Sequence, residues 1–239
     1  MAVESTPDAR AVLPGLELAE FFQRVASQTS DPARKLLSFL TSSLARRGWV
    51  HPIDKMIEAA QEATELPLAV ISAAQDELVA AHLLELDGQR IVSLAGLFAT
   101  RATGLDFVLD GEHALHLTGA LSALAASIAL QLPGTVRGQC PVTQARLELC
   151  CDVSGIASRE PETICCFLPA WNGQGSAAAA AAVGFLFADD EALGKWQEDN
   201  GDPPGMPMTS FLFPMGATEL GQQLGTALEQ TLNHLPDFS

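Results

Sequence analysis

Sulfur is the chemistry this sequence offers most plainly. It holds five cysteines: Cys140 alone, then Cys150 beside Cys151 and Cys165 beside Cys166. Thiolates are preferred ligands of soft metals such as Hg(II) and Cu(I). An odd count argues against a closed disulfide framework, and no Cys-x-x-Cys spacing is present. If Leu147 to Val153 and Thr163 to Leu168 are strands of one hairpin turning near Ser158, Cys150 opposes Cys166 and Cys151 opposes Cys165. Opposed Cβ atoms lie about 4.5–5.5 Å apart, and alternation puts one pair on each face. Leu147, Leu149 and Val153 share a face with Cys151, so that pair is the buried one. Two readings stand together. The four thiols, helped by Cys140, form a soft-metal site for Hg or Cu; or they are small hydrophobes in a β core.

Other titratable groups are thinner evidence. His113 and His116 stand three apart before Gly119, where they could ligate a metal or relay a proton, or simply open a helix at the surface. His51, His82 and His234 are isolated, and His82 reads as packed on an apolar helix face. Asp189, Asp190 and Glu191 suit the start of a helix, where the dipole favours negative charge.

The elements that must position these groups come in two styles. The front half is helical. Leu16 to Ala26 is amphipathic. A second helix is capped by Ser30, opened by Asp31-Pro32 and closed by Arg46-Arg47 before Gly48. Pro52 to Ala63 buries Ile53, Met56, Ile57 and Ala60 on one face. Ser72 to Leu84 presents Leu78, Val79, His82 and Leu83. Asp87-Gly88 is then a turn, and Arg90 to Phe98 and Leu105 to Leu109 are strands. Helices followed by a ribbon suggest a winged-helix-like unit. Thr118 to Leu132 is a long apolar helix. The back half reads as strands at 136–140, 147–153 and 163–168, an ambiguous Ala177 to Phe187, a helix over 189–198, a strand over 208–213 and a closing helix over 218–232. The fold class expected is therefore α+β: a helical, winged-helix-like region, then a mixed or antiparallel sheet with flanking helices. The boundaries are a flexible tail at 1–13, a helical unit at 14–112 and an α/β unit at 113–239.

Composition narrows the function. Hydrophobic residues make up 48% of 239, enough for a core. The formal charge of −16 repels nucleic-acid phosphates and anionic membranes. The expected recognition helix carries Asp76 and Glu77 and no Lys or Arg, whereas a DNA reader needs phosphate contacts. The start lacks a basic and then apolar signal, and the run Ala177 to Ala188 is too short to span a bilayer. A cytoplasmic protein with free thiols is the expectation.

Several strings resemble the organomercurial (alkylmercury) lyases. They are Leu86-Asp87-Gly88-Gln89-Arg90-Ile91-Val92 through Leu105-Asp106-Phe107-Val108-Leu109-Asp110, Gly138-Gln139-Cys140-Pro141-Val142-Thr143, Phe185-Leu186-Phe187-Ala188 with Trp196, and Met208 to Leu232. Their shared order carries the resemblance, over roughly residues 50–235. It implies protonolysis of an R–Hg bond to R–H and Hg(II) by two cysteines and an acid, without a resident cofactor, on a small organometal or soft metal ion. It also implies that Cys140 is the family's structural cysteine. The first catalytic cysteine falls at Gly119, the acid at Ser122 and the second cysteine near Ala181. Whether the chain is an enzyme is thereby left open. One reading has Cys150, Cys151, Cys165 and Cys166 stand in for the missing pair. A second is a non-catalytic metal- or partner-binding descendant, and a third a winged-helix, metal-responsive regulator.

Overall fold

The computed structural model describes residues 20–21, 24–25, 27–109, 113–170 and 184–232. The expected helix at Leu16–Ala26, the residues around Ala181 and His234 therefore lie wholly or largely outside the described residues. Helix α1 (Asp31–Arg47) is punctuated as its sequence predicts. The Ser30 hydroxyl accepts from the Ala33 N–H at 3.3 Å, and Gly48 at φ +71° returns its N–H to Leu44 O. Leu36, Leu37, Leu40 and Leu44 form the buried stripe. Glu77 receives both the N–H and the hydroxyl of Ser30 at 2.6 Å, which fastens the start of α1 to α3 (Leu68–Ala80). Helix α2 (Ile53–Thr64) buries the four residues expected of it.

Helix α3 departs from expectation. Pro67, with extended backbone, starts it four residues earlier. It stops at Ala80, because His82 turns left-handed at φ +57° and sends Leu83 and Leu84 into strand β1 (Leu84–Asp87). His82 is thus a half-buried helix-end residue, not one packed on the helix face.

Strands β2 (Arg90–Leu94), β3 (Phe98–Ala99), β4 (Leu105–Leu109), β5 (His113–Leu117), β6 (Gly134–Gln139), β7 (Arg146–Asp152) and β8 (Gly155–Glu160) join β1 in one antiparallel sheet, ordered β1-β2-β3-β5-β4-β6-β7-β8. The two strands expected to pair as a wing do not pair: β3 and β5 lie between β2 and β4 in the main sheet. The boundary drawn after residue 112 falls inside the β4–β5 hairpin. Three further strands, β9 (Cys165–Pro169), β10 (Phe185–Phe187) and β11 (Gly205–Met208), make a second sheet ordered β10-β9-β11. Helix α5 (Asp190–Asp199) covers it, with Trp196 against Phe167, Phe185 and Phe187 at centroid distances of 4.9, 5.4 and 5.6 Å.

Helix α4 (Ala120–Leu130) is the spine. It carries no charge and is buried from Ala120 to Ala129. A helix apolar all round must be covered all round, and here sheet strands and helix α6 (Phe213–Leu232) cover it. Gly221 and Gly225 let α6 come close: a Cβ at Gly221 would lie 2.4 Å from Leu124 O. Fold class and architecture agree with the α+β expectation. Among the described residues, no helix is long and apolar enough to cross a membrane.

Candidate functional site

The proposed four-thiol hairpin does not form. Strand β7 turns at Val153–Ser154, where Asp152 accepts from the Ser154 N–H at 2.7 Å and its hydroxyl at 2.5 Å, and Gly155 takes φ +128°. The return strand is β8, so Cys150 opposes Ser158 and Cys151 opposes Ile156. Strand β9 belongs to the other sheet, where Cys165 faces Phe187 and Cys166 lies between Leu186 and Met208. As the middle strand of three, β9 is paired along both edges; helices α4 and α5 contact it, and both its cysteines are buried. Cys151 points inward with Leu147 and Leu149, while Cys150 is exposed; Val153, expected inward, is exposed too.

Electrostatics agree with geometry. Burial pushes the Cys151 thiol up to about 12, with the neighbouring Cys150 adding to it. Burial also raises Cys165, with Asp190 adding to it, and raises Cys166. Such thiols keep their protons and act as apolar residues. The histidines likewise do not converge. His113 and His116 sit on opposite faces of β5, because three residues reverse the side of a strand. His116 Nδ1 instead meets Asp106 Oδ1 across the ladder at 2.6 Å. Among the described residues, no cluster of three or more His, Cys, Asp or Glu could hold a metal ion.

A different set of residues does come together, around a cavity of about 250 Å³ at the N-terminus of α4. Its walls come from four separated segments: Thr103 to Leu105, Leu117 to Gly119, Gln139 to Pro141 with Gln144, and Gly184 to Leu186. Hydrogen bonds hold each wall. Thr103 Oγ1 donates to Leu117 O at 2.7 Å. Thr118 Oγ1 bonds Gly96 O at 2.8 Å and also meets the Ser122 hydroxyl. The Ala120 N–H donates to Gly184 O at 3.0 Å. Gly119, the N-cap of α4, supplies no side-chain acceptor. The start of α4 therefore lies beside the cavity, with its Ala120 N–H already engaged by Gly184 O.

Two of the three positions singled out by resemblance can be placed. Gly119 lines the cavity. Ser122 lies one turn deeper, 1% exposed, behind Thr118 and off the wall. Residues just before Gly184, where Ala181 sits, are outside the described set. Cys140 is in the wall with none of its own surface exposed. It anchors a tight turn: its N–H donates to Ala145 O at 2.8 Å, and its O accepts from the Gln144 N–H at 2.9 Å. Burial pushes the Cys140 thiol up. Hydrogen bonds from the Thr143 side chain and N–H, and from the Ala188 and Val142 backbone, outweigh burial and hold it below the ordinary thiol value. Thr103, Thr118, Gln139 and Gln144 complete the polar lining. Sequence reasoning missed these four, since no local periodicity joins segments this far apart. The one available signal was Thr118 directly before Gly119.

Comparison with known proteins follows this geometry. A family model described as alkylmercury lyase matches residues 98–221, more than half of the chain, and spans every wall of the cavity. A solved structure described as the mercury-bound form of MerB2 shares the fold at a TM-score of 0.64 with 19% identity. That match covers 89% of this chain and 99% of the other. No curated protein matches.

Proposed function

This chain belongs to the alkylmercury lyase family, and from that premise we propose that it captures organomercurials through one thiolate, Cys140, at the α4 cavity. The exchange is Cys140–S⁻ + R–Hg–X → Cys140–S–Hg–R + X⁻, with the C–Hg bond kept. One observation carries the reading. Cys140 is the thiol held below its ordinary value, and it stands in the wall that also contains Gly119 and Gly184. A lowered pKa raises the thiolate fraction, and thiolate is the form that binds mercury.

Release of R–H needs a proton at the departing carbon, and the resemblance assigns that task to two thiolates with an acid. Among the described residues, the cavity wall has one thiol and no carboxylate. The reading is therefore capture without protonolysis. Cys140 is closed off from solvent, so capture requires the 140–145 turn to shift, and the reaction is slow compared with exposed Cys150. Lyase activity, copper binding and a cytoplasmic setting are separate matters that this proposal does not require.

The test uses a phenylmercury salt, with intact-mass and adduct mapping by mass spectrometry and headspace measurement of benzene. In a Cys150→Ser background, one phenylmercury adduct should form at Cys140, with no catalytic benzene release in excess thiol. An adduct pattern unchanged by Cys140→Ser removes the proposal. Catalytic benzene release removes the capture-only reading and restores the complete family reaction.

A further inference from the structure

A second cavity is built from segments far from any cysteine in sequence. It measures about 860 Å³, within the range typical of small-molecule sites. Its walls are the loop after α1 (Trp49 to Pro52), the β1–β2 turn (Asp87, Gln89, Arg90) and Thr100–Arg101 after β3. The Ile53 N–H donates to Gln89 O at 2.8 Å and fixes the loop against the hairpin.

Charge at this cleft runs against the molecule. The chain has 29 acids for 13 bases, so basic side chains find acidic partners readily. Lys35, Lys55, Arg137, Arg146 and Lys195 do so. Arg34 and Arg159 reach backbone carbonyls. The Arg90 and Arg101 side chains make no hydrogen bond, ion pair or ring contact among the described residues, yet both line this one cleft. Trp49 is 50% exposed beside them, edge-on to His51 at 4.5 Å and with Arg47 over its ring at 5.9 Å. Asp87 is the one carboxylate among the lining residues. It stands across the ladder from Arg90 without an ion pair between them.

We infer that this cleft binds a small anionic ligand with a planar ring: its phosphate or carboxylate lies between Arg90 and Arg101, and its ring lies on Trp49. Guanidinium groups suit such oxyanions through paired N–H donors, and an exposed indole offers a stacking face. A nucleic-acid polymer is disfavoured, because the net charge of −16 repels its backbone beyond the cleft.

Phenyl phosphate is the probe, with inorganic phosphate and phenol as single-group controls, titrated calorimetrically into the full chain at low salt. The expected result is saturable one-to-one binding, tighter than for either control. Arg90→Ala and Arg101→Ala should each weaken it about tenfold, as loss of one charge-assisted contact does. Trp49→Ala should abolish the advantage over inorganic phosphate, and Asp87→Asn should tighten binding. All four side chains are exposed, so the variants should unfold like the parent. No saturable binding of phenyl phosphate overturns the inference, as does affinity unchanged in the double arginine variant. Tighter binding of a short DNA duplex that needs both arginines overturns it in favour of a polymer.

Discussion

The α4–α6 contact allows one substitution to be given opposite signs at two sites. Glycine to alanine inside a helix favours folding by roughly 1 kcal/mol through backbone entropy. Gly194 in α5 has open space around it: an added Cβ would meet nothing within 4 Å. Gly194→Ala should therefore stabilise by up to about 1 kcal/mol. At Gly221 the new Cβ would lie 2.4 Å from Leu124 O and 3.2 Å from Leu124 C. These are backbone atoms of a helix buried on every side, so no side-chain rotation relieves the clash. The helices must separate by about 1 Å to regain ordinary contact, and overpacking of this kind costs about 1–3 kcal/mol. Set against the propensity gain of about 1 kcal/mol, Gly221→Ala should come out about 0–2 kcal/mol less stable than the parent, a fall in Tm of up to roughly 8 °C for a chain of this size, and about 1–3 kcal/mol less stable than Gly194→Ala. Gly225→Ala should behave alike, its Cβ meeting Ile128 Cβ at 2.5 Å. Urea and thermal unfolding followed by circular dichroism measure all three. A Gly221→Ala protein as stable as Gly194→Ala would refute the packing argument. The same shift would move Gly119 and the cavity wall, so Cys140 labelling by phenylmercury should change in Gly221→Ala and not in Gly194→Ala.

Three further outcomes are expected. Cys151, Cys165 and Cys166 have folded pKa values raised above the unfolded value of about 8.5. The folded state then holds more protons above that pH, so their contribution is complete below about 8.5 and is lost as pH rises toward the folded values. Stability should fall by up to about 1.4 kcal/mol per pH unit for each such thiol, and Cys166→Ala should flatten the slope in urea unfolding between pH 8 and 10. Asp190 has the reverse sign: partial burial raises its pKa, but the Ser210 N–H and hydroxyl at 2.7 Å, with Cys165 and Arg159, hold it below the ordinary value. Its contribution should be present above about pH 4 and lost as pH falls through the folded value, and Asp190→Asn should remove that acid limb from the stability profile. Gly119→Cys adds a second sulfur at the cavity wall on extended backbone that any residue can adopt. It should tighten phenylmercury retention against competing thiol at least tenfold, about 1.4 kcal/mol; retention equal to the parent would place the mercurial elsewhere.

The limits of reading the sequence follow from the range of the forces involved. Local rules located α1, whose Ser30, Pro32 and Gly48 act within a turn of the chain. Alternation likewise located the inward Leu147, Leu149 and Cys151 of β7. The hairpin failed because Asp152-Val153-Ser154-Gly155 is itself a turn, closed by the Asp152 carboxylate. Nothing near Ser158 supplies comparable turn chemistry. The interval 90–98 broke into two strands because Ala95 and Gly96 both take positive φ. The cavity was illegible for another reason: its four walls meet through sheet order and through contacts between distant residues, such as the Thr103–Leu117 and Ala120–Gly184 bonds. Resemblance touches each wall, at Leu105, Gly119, Gln139 to Pro141 and Phe185 to Leu186, but does not say that they meet.

The backbone of the α4 cavity and any chemistry done there rest on different parts of the chain. The pocket depends on backbone: a helix N-terminus, a tight turn at Cys140 and a strand end at Gly184. None of these needs a thiol at position 119. Cleavage of a C–Hg bond, by contrast, depends on side chains that donate electrons to mercury and a proton to carbon at the same moment. A lone thiolate supplies the first in part and the second not at all, so it exchanges one Hg–X bond for one Hg–S bond and stops. The three protonated cysteines cannot complete the set, because each is raised by burial in apolar β structure. Exposed Cys150 stands on the outward face of β7. On the proposed reading capture and cleavage are separable, and the number of thiolates at one 250 Å³ cavity would set which of them occurs.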